Sequence, residues 1–255
     1  MAASKPTFVL VPGAWHSPDS FGPTTNLLKK AGYPVHGIHL PSTGASPPHK
    51  TNEIDVAHIR SQISDILSAG KDIVLVMHSY GGTVGSEALT EYVQEIEKGT
   101  QKEGQGKVLR LVFCTAFCLP LGGSLGKALG GKPLPWFILN EDETIVSPGT
   151  PKEILYNDIS DEVAAPLIAQ LRPLGYGTYF TEMTVEPWKV IPSTFILCSE
   201  DRAIPLFAQE GMIKQAQEIA PSSFDVVERC DAGHSPFVSQ PEWLAEKLVK
   251  AAGSA

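Results

Sequence analysis

Cysteine and positive charge are both scarce in this sequence. The 255 residues include four cysteines, and 20 Lys and Arg stand against 28 Asp and Glu, which gives a formal net charge of −8. Lysine and arginine form no run that would neutralise a row of phosphates, so a nucleic-acid partner is not expected. Cys114 and Cys118 have no neighbouring His or Cys pair to complete a zinc site. We therefore predict free core thiols, with neither a metal nor another cofactor.

Long apolar runs are also absent. No stretch approaches the roughly 20 residues that a membrane-spanning helix needs. The first residues, M-A-A-S-K-P-T, lead directly into a predicted strand without the apolar core of a signal peptide. These features predict a reducing, cytoplasmic location without a membrane partner. The sequence leaves the choice between monomer and homodimer open.

Short apolar runs alternate with longer amphipathic stretches. The runs predict six strands, at 7–12, 35–40, 72–78, 108–115, 192–199 and 223–230. Helical periodicity predicts helices at 20–31, 52–69, 80–98, 205–220 and 236–251. Strands that are apolar throughout and are separated by helices favour an α/β fold, with a mostly parallel central sheet and helices on both of its faces.

The alternation breaks over residues 119–190. This segment holds many Gly, Pro and aromatic residues and one further predicted helix at 161–171. We therefore expect residues 1–118 and 191–255 to form the α/β core, and residues 119–190 to be an inserted cap, or lid. A surface elaboration is the alternative, and the aromatic residues favour the lid.

Three chemically useful residues follow predicted strands. Ser79, Asp201 and His234 come shortly after the third, fifth and sixth strands. Because ligands of open α/β sheets bind beyond the carboxyl ends of the strands, these side chains should face one site. A serine becomes a good nucleophile when a histidine takes its proton, and an acid orients that histidine. The three residues thus predict a catalytic triad.

Each position has an alternative interpretation. Ser79 could be the N-cap of the following helix. Its turn also has Met77 where the pattern G-x-S-x-G has its first glycine, and a methionine there predicts a small cavity among its neighbours. Glu200 competes with Asp201 as the acid, and Asp231 lies only three residues before the base. The base itself could be a loop histidine without a catalytic role.

Acyl transfer also needs donors for the negative charge that develops on the substrate oxygen. The backbone N–H of Tyr80, the residue after the nucleophile, is one predicted donor. The backbone N–H of Ala14, in the loop after the first strand, is the other. Gly13 would let this loop approach closely. The alternative is an ordinary turn at the end of the strand.

The most distinctive stretches surround these residues: V-L-V-P-G-A-W-H (9–16), M-H-S-Y-G-G (77–82), C-S-E-D-R-A-I-P (198–205) and A-G-H-S-P-F-V-S-Q-P-E (232–242). They resemble the α/β-hydrolase superfamily, and more narrowly its small branch of plant methyl-ester esterases, hydroxynitrile lyases and microbial relatives. The resemblance implies the α/β-hydrolase fold with an inserted cap. It also implies a Ser79–His234–Asp201 triad, with Ala14 and Tyr80 at the oxyanion hole.

The predicted function is a cofactor-free, esterase-like serine hydrolase whose substrate is a small, fairly apolar ester, thioester or lactone. Ser235 stands where hydroxynitrile lyases have a lysine, which argues against cyanogenic lyase activity. Two alternatives keep the fold: a lyase or cyclase of small-molecule biosynthesis with His234 as base, and a ligand receptor. We expect mainly aromatic side chains to bind the substrate, namely Trp15, His16, Trp136, Phe137, Tyr176, Tyr179 and Phe180.

Overall fold

The computed structural model describes residues 5–253. Over these residues the chain forms nine strands: β1 (Thr7–Val11), β2 (Val35–Gly37), β3 (Ile73–His78), β4 (Val108–Cys114), β5 (Phe137–Leu139), β6 (Ile145–Pro148), β7 (Leu174–Gly175), β8 (Ser193–Cys198) and β9 (Val226–Cys230). The same residues form ten α-helices: α1 (Gly22–Lys30), α2 (Glu53–Ser68), α3 (Gly81–Glu87), α4 (Thr90–Lys98), α5 (Leu125–Ala128), α6 (Pro151–Ile154), α7 (Asp161–Ile168), α8 (Leu206–Ile219), α9 (Pro236–Ser239) and α10 (Pro241–Gly253).

Six strands form the central sheet, in the order β2-β1-β3-β4-β8-β9. Every neighbouring pair in it is parallel. These are the six strands that the apolar runs predict, although β2 ends at Gly37, three residues earlier than expected. The predicted α/β architecture is confirmed.

Both faces of the central sheet are covered over its inner strands. Val9 and Val11 of β1 belong to one apolar cluster, while the intervening Leu10 and the preceding Phe8 belong to the other. Helix α2 covers the first cluster, and α1 and α10 cover the second. Because the inner strands β1, β3, β4 and β8 are buried on both faces, most of their alternating side chains are apolar, which explains the long apolar runs. The edge strands β2 and β9 are partly exposed.

Two predicted helices are each divided in two. The helix expected at 80–98 breaks at Leu89, where Thr90 Oγ1 donates to the Glu87 carbonyl at 2.7 Å and Arg60 Nε donates to the Ala88 carbonyl at 3.4 Å. The helix expected at 236–251 breaks before Pro241. Proline disfavours a helical conformation in the residue that precedes it, which accounts for the second break.

The segment 119–190 holds a second sheet that the sequence pattern did not predict. Strands β5, β6 and β7 pair in that order, and both pairs are antiparallel. The turn between β5 and β6 is closed by side chains, because Asp142 Oδ1 accepts from Thr144 Oγ1 at 2.7 Å and from Asn140 Nδ2 at 2.6 Å. The helix predicted at 161–171 is present as α7 but ends at Ile168.

The four cysteines are free and buried. Burial raises the pKa of the Cys114 and Cys118 thiols, which keeps both of them protonated at neutral pH. Within residues 5–253, no three or more His, Cys, Asp or Glu side chains are grouped so that they could hold a metal ion. None of the helices in that range combines the length and apolar character that crossing a membrane requires.

Candidate active site

Ser79 occupies a strained turn between β3 and α3. Its φ is +52°, a left-handed conformation that a non-glycine residue adopts at an energetic cost. The two glycines that follow allow the turn to pack against other backbone. A Cβ at Gly81 would lie 2.6 Å from the carbonyl oxygen of Val11, and one at Gly82 would lie 2.3 Å from that of Phe117. Tyr80, rather than Ser79, stands at the N-cap of α3. The turn is thus built as a nucleophile elbow would be.

Met77 fits beside this turn because a glycine faces it. The Met77 side chain is fully buried. A Cβ at Gly85 in α3 would lie 2.6 Å from Met77 Sδ and 2.9 Å from Met77 Cγ. Because Gly85, one helical turn beyond the elbow, has no side chain, the Met77 side chain fits in the space beside it.

His234 and Asp201 form a buried pair. His234 Nδ1–H donates to Asp201 Oδ2 at 2.9 Å, and the two side chains are at most 2% exposed. Asp201 Oδ1 accepts from the backbone amides of Ala203 at 2.8 Å and Ile204 at 2.9 Å, so the carboxylate is held on both oxygens. In the neutral imidazole this donation by Nδ1–H gives Nε2 the lone pair that a general base requires.

The two competing acids do not contact His234. Glu200 is exposed. Asp231 is also exposed, and it accepts a hydrogen bond from Ser199 Oγ at 2.9 Å. Asp201 is therefore the carboxylate that orients the histidine.

Two residues at the ends of neighbouring strands hold the loop that carries His234. They are His78, the last residue of β3, and Thr115, the first residue after β4. His78 Nε2–H donates to the His234 carbonyl at 3.0 Å, and Thr115 Oγ1 donates to the same oxygen at 3.1 Å. Burial holds the pKa of His78 well below its usual value, and the nearby His234 and His16 rings lower it further. His78 is therefore neutral and positions the loop. The sequence shows that His78 precedes the nucleophile, but it does not show that His78 contacts the carbonyl of His234, 156 residues away.

The loop after β1 lies directly against the elbow. A Cβ at Gly13 would lie 2.8 Å from Ser79 Cβ, so only glycine allows this approach. Trp15 has a φ of +69°, which turns the loop sharply. Among residues 5–253, the backbone amides of Ala14 and Tyr80 donate no hydrogen bond to the protein. Both residues line the same cavity as Ser79. Two residues with unpaired backbone donors therefore line the cavity of Ser79.

The space among the lining residues, together with the solvent at its mouth, measures about 340 Å³. Of the predicted substrate-binding residues, Trp15, Trp136, Phe137 and Tyr179 line it. Six further lining residues are apolar and carry no chemical signature by which the sequence could single them out: Phe117, Leu125, Leu129, Leu134, Ala203 and Ile204. Apart from the catalytic candidates and two tyrosine hydroxyls, the lining side chains are apolar. The cavity therefore suits an uncharged, largely apolar ligand.

Three predicted pocket residues do not line the cavity. His16 is buried beneath it, where its Nδ1–H donates to the Ala14 carbonyl at 2.8 Å and its Nε2 accepts from the Tyr156 hydroxyl at 2.9 Å. Burial lowers the pKa of His16 to about 4. Tyr176 packs behind Tyr179, with ring centroids 5.8 Å apart. Phe180 is 43% exposed. The short 3₁₀-helix Tyr176–Phe180 turns only Tyr179 into the cavity.

Proteins of known family resemble this chain over nearly its whole length. The sequence profile of the alpha/beta hydrolase family matches residues 8–247. Alpha/beta hydrolase nvfD of Aspergillus novofumigatus (strain IBT 16806) is 34% identical over 254 residues, which cover 98% of each chain. Norfluorocurarine synthase 2 of Strychnos sp is 26% identical, over 95% of this chain and 94% of that protein. The crystal structure of a methylesterase from Arabidopsis aligns with a TM-score of 0.76 over 98% of this chain and 100% of its own, at 20% identity, and so shares its fold.

Proposed function

Because this chain belongs to the alpha/beta hydrolase family, we propose that it is a serine hydrolase that cleaves a small, fairly apolar ester, thioester or lactone. The proposal is carried by one observation. The His234–Asp201 pair, joined at 2.9 Å, opens onto the same cavity as Ser79, whose φ of +52° is that of a strained turn. Such strain at a cavity wall is common at functional sites.

The proposed reaction has two halves. His234 Nε2 takes the proton of Ser79 Oγ while that oxygen attacks the substrate carbonyl, and the backbone amides of Ala14 and Tyr80 bind the resulting oxyanion. The same histidine then protonates the leaving alcohol or thiol, which departs and leaves an acyl group on Ser79. A water that gives its proton to His234 attacks this acyl group, the bond from the acyl carbon to Ser79 Oγ breaks, and His234 returns the proton to that oxygen as the acid is released. Asp201 stabilises the imidazolium formed in each half.

The lining of the cavity supports the proposed substrate class. Its aromatic members Trp15, Trp136, Phe137 and Tyr179 line the space beside Ser79, as apolar side chains line most small-molecule sites. No lysine, arginine or carboxylate side chain is among the lining residues. A charged acyl group would therefore lose its hydration without gaining a partner. We also propose that the segment 119–190, which supplies Trp136 and Phe137, acts as the lid of this cavity.

The test compares the wild type with Ser79→Ala on p-nitrophenyl esters of graded chain length, methyl esters, thioesters and lactones. Ser61→Ala, which changes an exposed serine of α2, is the matched control. We expect Ser79→Ala to lose at least ~10³ in turnover and the control to lose nothing. A fluorophosphonate probe should form an adduct on Ser79 of the wild type. Retention of turnover by Ser79→Ala would overturn the proposal.

A lyase or cyclase reaction is the second candidate, and the similarity to a protein named norfluorocurarine synthase favours it. In this reaction His234 would be the base and Ser79 would only donate a hydrogen bond to the substrate. The fluorophosphonate experiment separates the two candidates, because an unreactive Ser79 in a protein that still consumes its substrate supports the second. Tight stoichiometric binding of a ligand without product would instead indicate a receptor.

A further inference from the structure

Three consecutive residues of the segment 119–190 contact three different loops of the candidate site. Tyr156, Asn157 and Asp158 connect α6 to α7, and we call them the strap. The loops that they contact follow β1, β8 and β9 and carry the oxyanion amide, the acid and the base of the proposed mechanism.

Tyr156 reaches the loop after β1. Its side chain is 1% exposed, and its hydroxyl donates to His16 Nε2 at 2.9 Å. His16 connects Tyr156 to the backbone of this loop, because its Nδ1–H donates to the carbonyl of Ala14 at 2.8 Å. Burial raises the pKa of Tyr156 and lowers that of His16 to about 4, so the hydroxyl stays the donor and the imidazole the acceptor.

Asn157 and Asp158 reach the other two loops. Asn157 Nδ2 donates to the carbonyl of Glu200, the residue before the acid, at 3.0 Å. Asp158 Oδ2 accepts from the backbone amide of Gly233, the residue before the base, at 2.6 Å. A Cβ at Gly233 would lie 2.4 Å from Asn157 Oδ1 and 2.7 Å from Asp158 Oδ1, so the strap and this loop meet where only glycine fits.

We propose that the strap holds the three loops at a common spacing, and that Asp158 is the positioning residue for His234. The central sheet determines where β1, β8 and β9 end, but not how the loops beyond them are spaced. Asp158 does not line the cavity, and it reaches the base loop through its hydrogen bond with the Gly233 amide. The catalytic part of this inference rests on the proposed function. A displacement of about 1 Å in a reacting group can cost ~10²-fold in rate.

The first test compares steady-state kinetics of Asp158→Ala, Asp158→Asn and Asp142→Ala on a p-nitrophenyl ester that the wild type cleaves. Asp142 is the matched control, since it is also an exposed aspartate that accepts a backbone amide, that of Thr144 at 3.3 Å, but within the β5–β6 turn. Asp158→Ala should lower kcat about 10- to 100-fold and leave KM within about threefold. Asp158→Asn keeps an acceptor oxygen and should recover most of the loss, while Asp142→Ala should match the wild type. An unchanged kcat, or a change confined to KM, would overturn the proposal.

The second test does not depend on activity. Hydrogen–deuterium exchange should be faster over 231–235 in Asp158→Ala than in the wild type, and unchanged over β3 and β4. Asp142→Ala should exchange like the wild type over 231–235. If the wild type neither turns over an ester nor reacts with a fluorophosphonate, the proposed function fails. The exchange comparison alone then tests whether the strap positions the His234 loop. Equal exchange over 231–235 in all three proteins would refute it.

Discussion

Replacement of Gly85 by alanine tests whether the glycine makes the room for Met77 beside the elbow. The new Cβ would meet Met77 Sδ at 2.6 Å and Cγ at 2.9 Å. Overpacking of a buried site costs about 1–3 kcal/mol, whereas alanine gains about 1 kcal/mol over glycine in a helix interior. Taking about 2 kcal/mol for the overpacking, we expect Gly85→Ala to lower the free energy of unfolding by about 1 kcal/mol.

A double-mutant cycle isolates the contact. Met77→Ala removes the side chain that the new methyl group would strike, and should itself cost about 2–5 kcal/mol. In that background Gly85→Ala should instead stabilise the protein by about 1 kcal/mol, which makes the coupling energy about 2 kcal/mol. Urea unfolding followed by circular dichroism measures all four proteins. A Gly85→Ala variant as stable as the wild type, with a coupling near zero, would refute the account of Met77.

Three further predictions concern the site. Asp201→Asn keeps an oxygen for the amides of the acid loop but turns an N–H toward His234, so kcat should fall by ~10³–10⁴ in steady-state assays. The pKa of His16 is about 4 in the folded protein and ordinarily near 6.5. Between these two pH values the imidazole is therefore neutral in the folded state and protonated in the unfolded state. The stability from this group is full above pH 6.5 and is lost as pH falls toward 4, by about 3 kcal/mol in urea titrations. Tyr80→Phe removes the hydroxyl that donates to Asp55 at 3.1 Å, and should cost about 1 kcal/mol in urea unfolding while kcat stays within about threefold, since the oxyanion donor is a backbone amide.

Each of these has a contrary outcome. Full activity in Asp201→Asn would remove Asp201 from the mechanism. A free energy of unfolding that is equal at pH 7 and pH 5, or that falls as steeply in His16→Gln as in the wild type, would contradict the buried neutral imidazole. A loss of ~10²-fold in kcat for Tyr80→Phe would give the Tyr80 side chain, and not only its amide, a part in the reaction.

The resemblance read from four motifs is confirmed at the level of family. The family profile spans residues 8–247, and the Arabidopsis methylesterase shares the fold. The inner strands were predictable because strands buried on both faces are apolar at most positions. Ser79, Asp201 and His234 were identifiable as candidates because each follows such a strand, and the chain direction alone places the strand ends at one edge.

Other features depend on partners that are distant in sequence. The break before Pro241 could be read locally, but the break at Leu89 coincides with contacts from Arg60, 28 residues from Ala88. The β5–β6–β7 sheet joins strands too short to show periodicity. His16 was expected in the pocket because it lies in the loop after the first strand, and the left-handed turn at Trp15 instead places it under that loop, toward Tyr156.

Local sequence patterns and long-range packing thus account for different features of this protein. The sequence by itself determined the parallel sheet, the family and the chemical identity of the candidate triad, since these follow from local patterns of burial and from strand direction. Only the tertiary structure decided how the site is held. The room for Met77, the choice of Asp201 over Glu200 and the strap over three loops all depend on close approaches between segments far apart in sequence, and packing rather than periodicity determines those approaches.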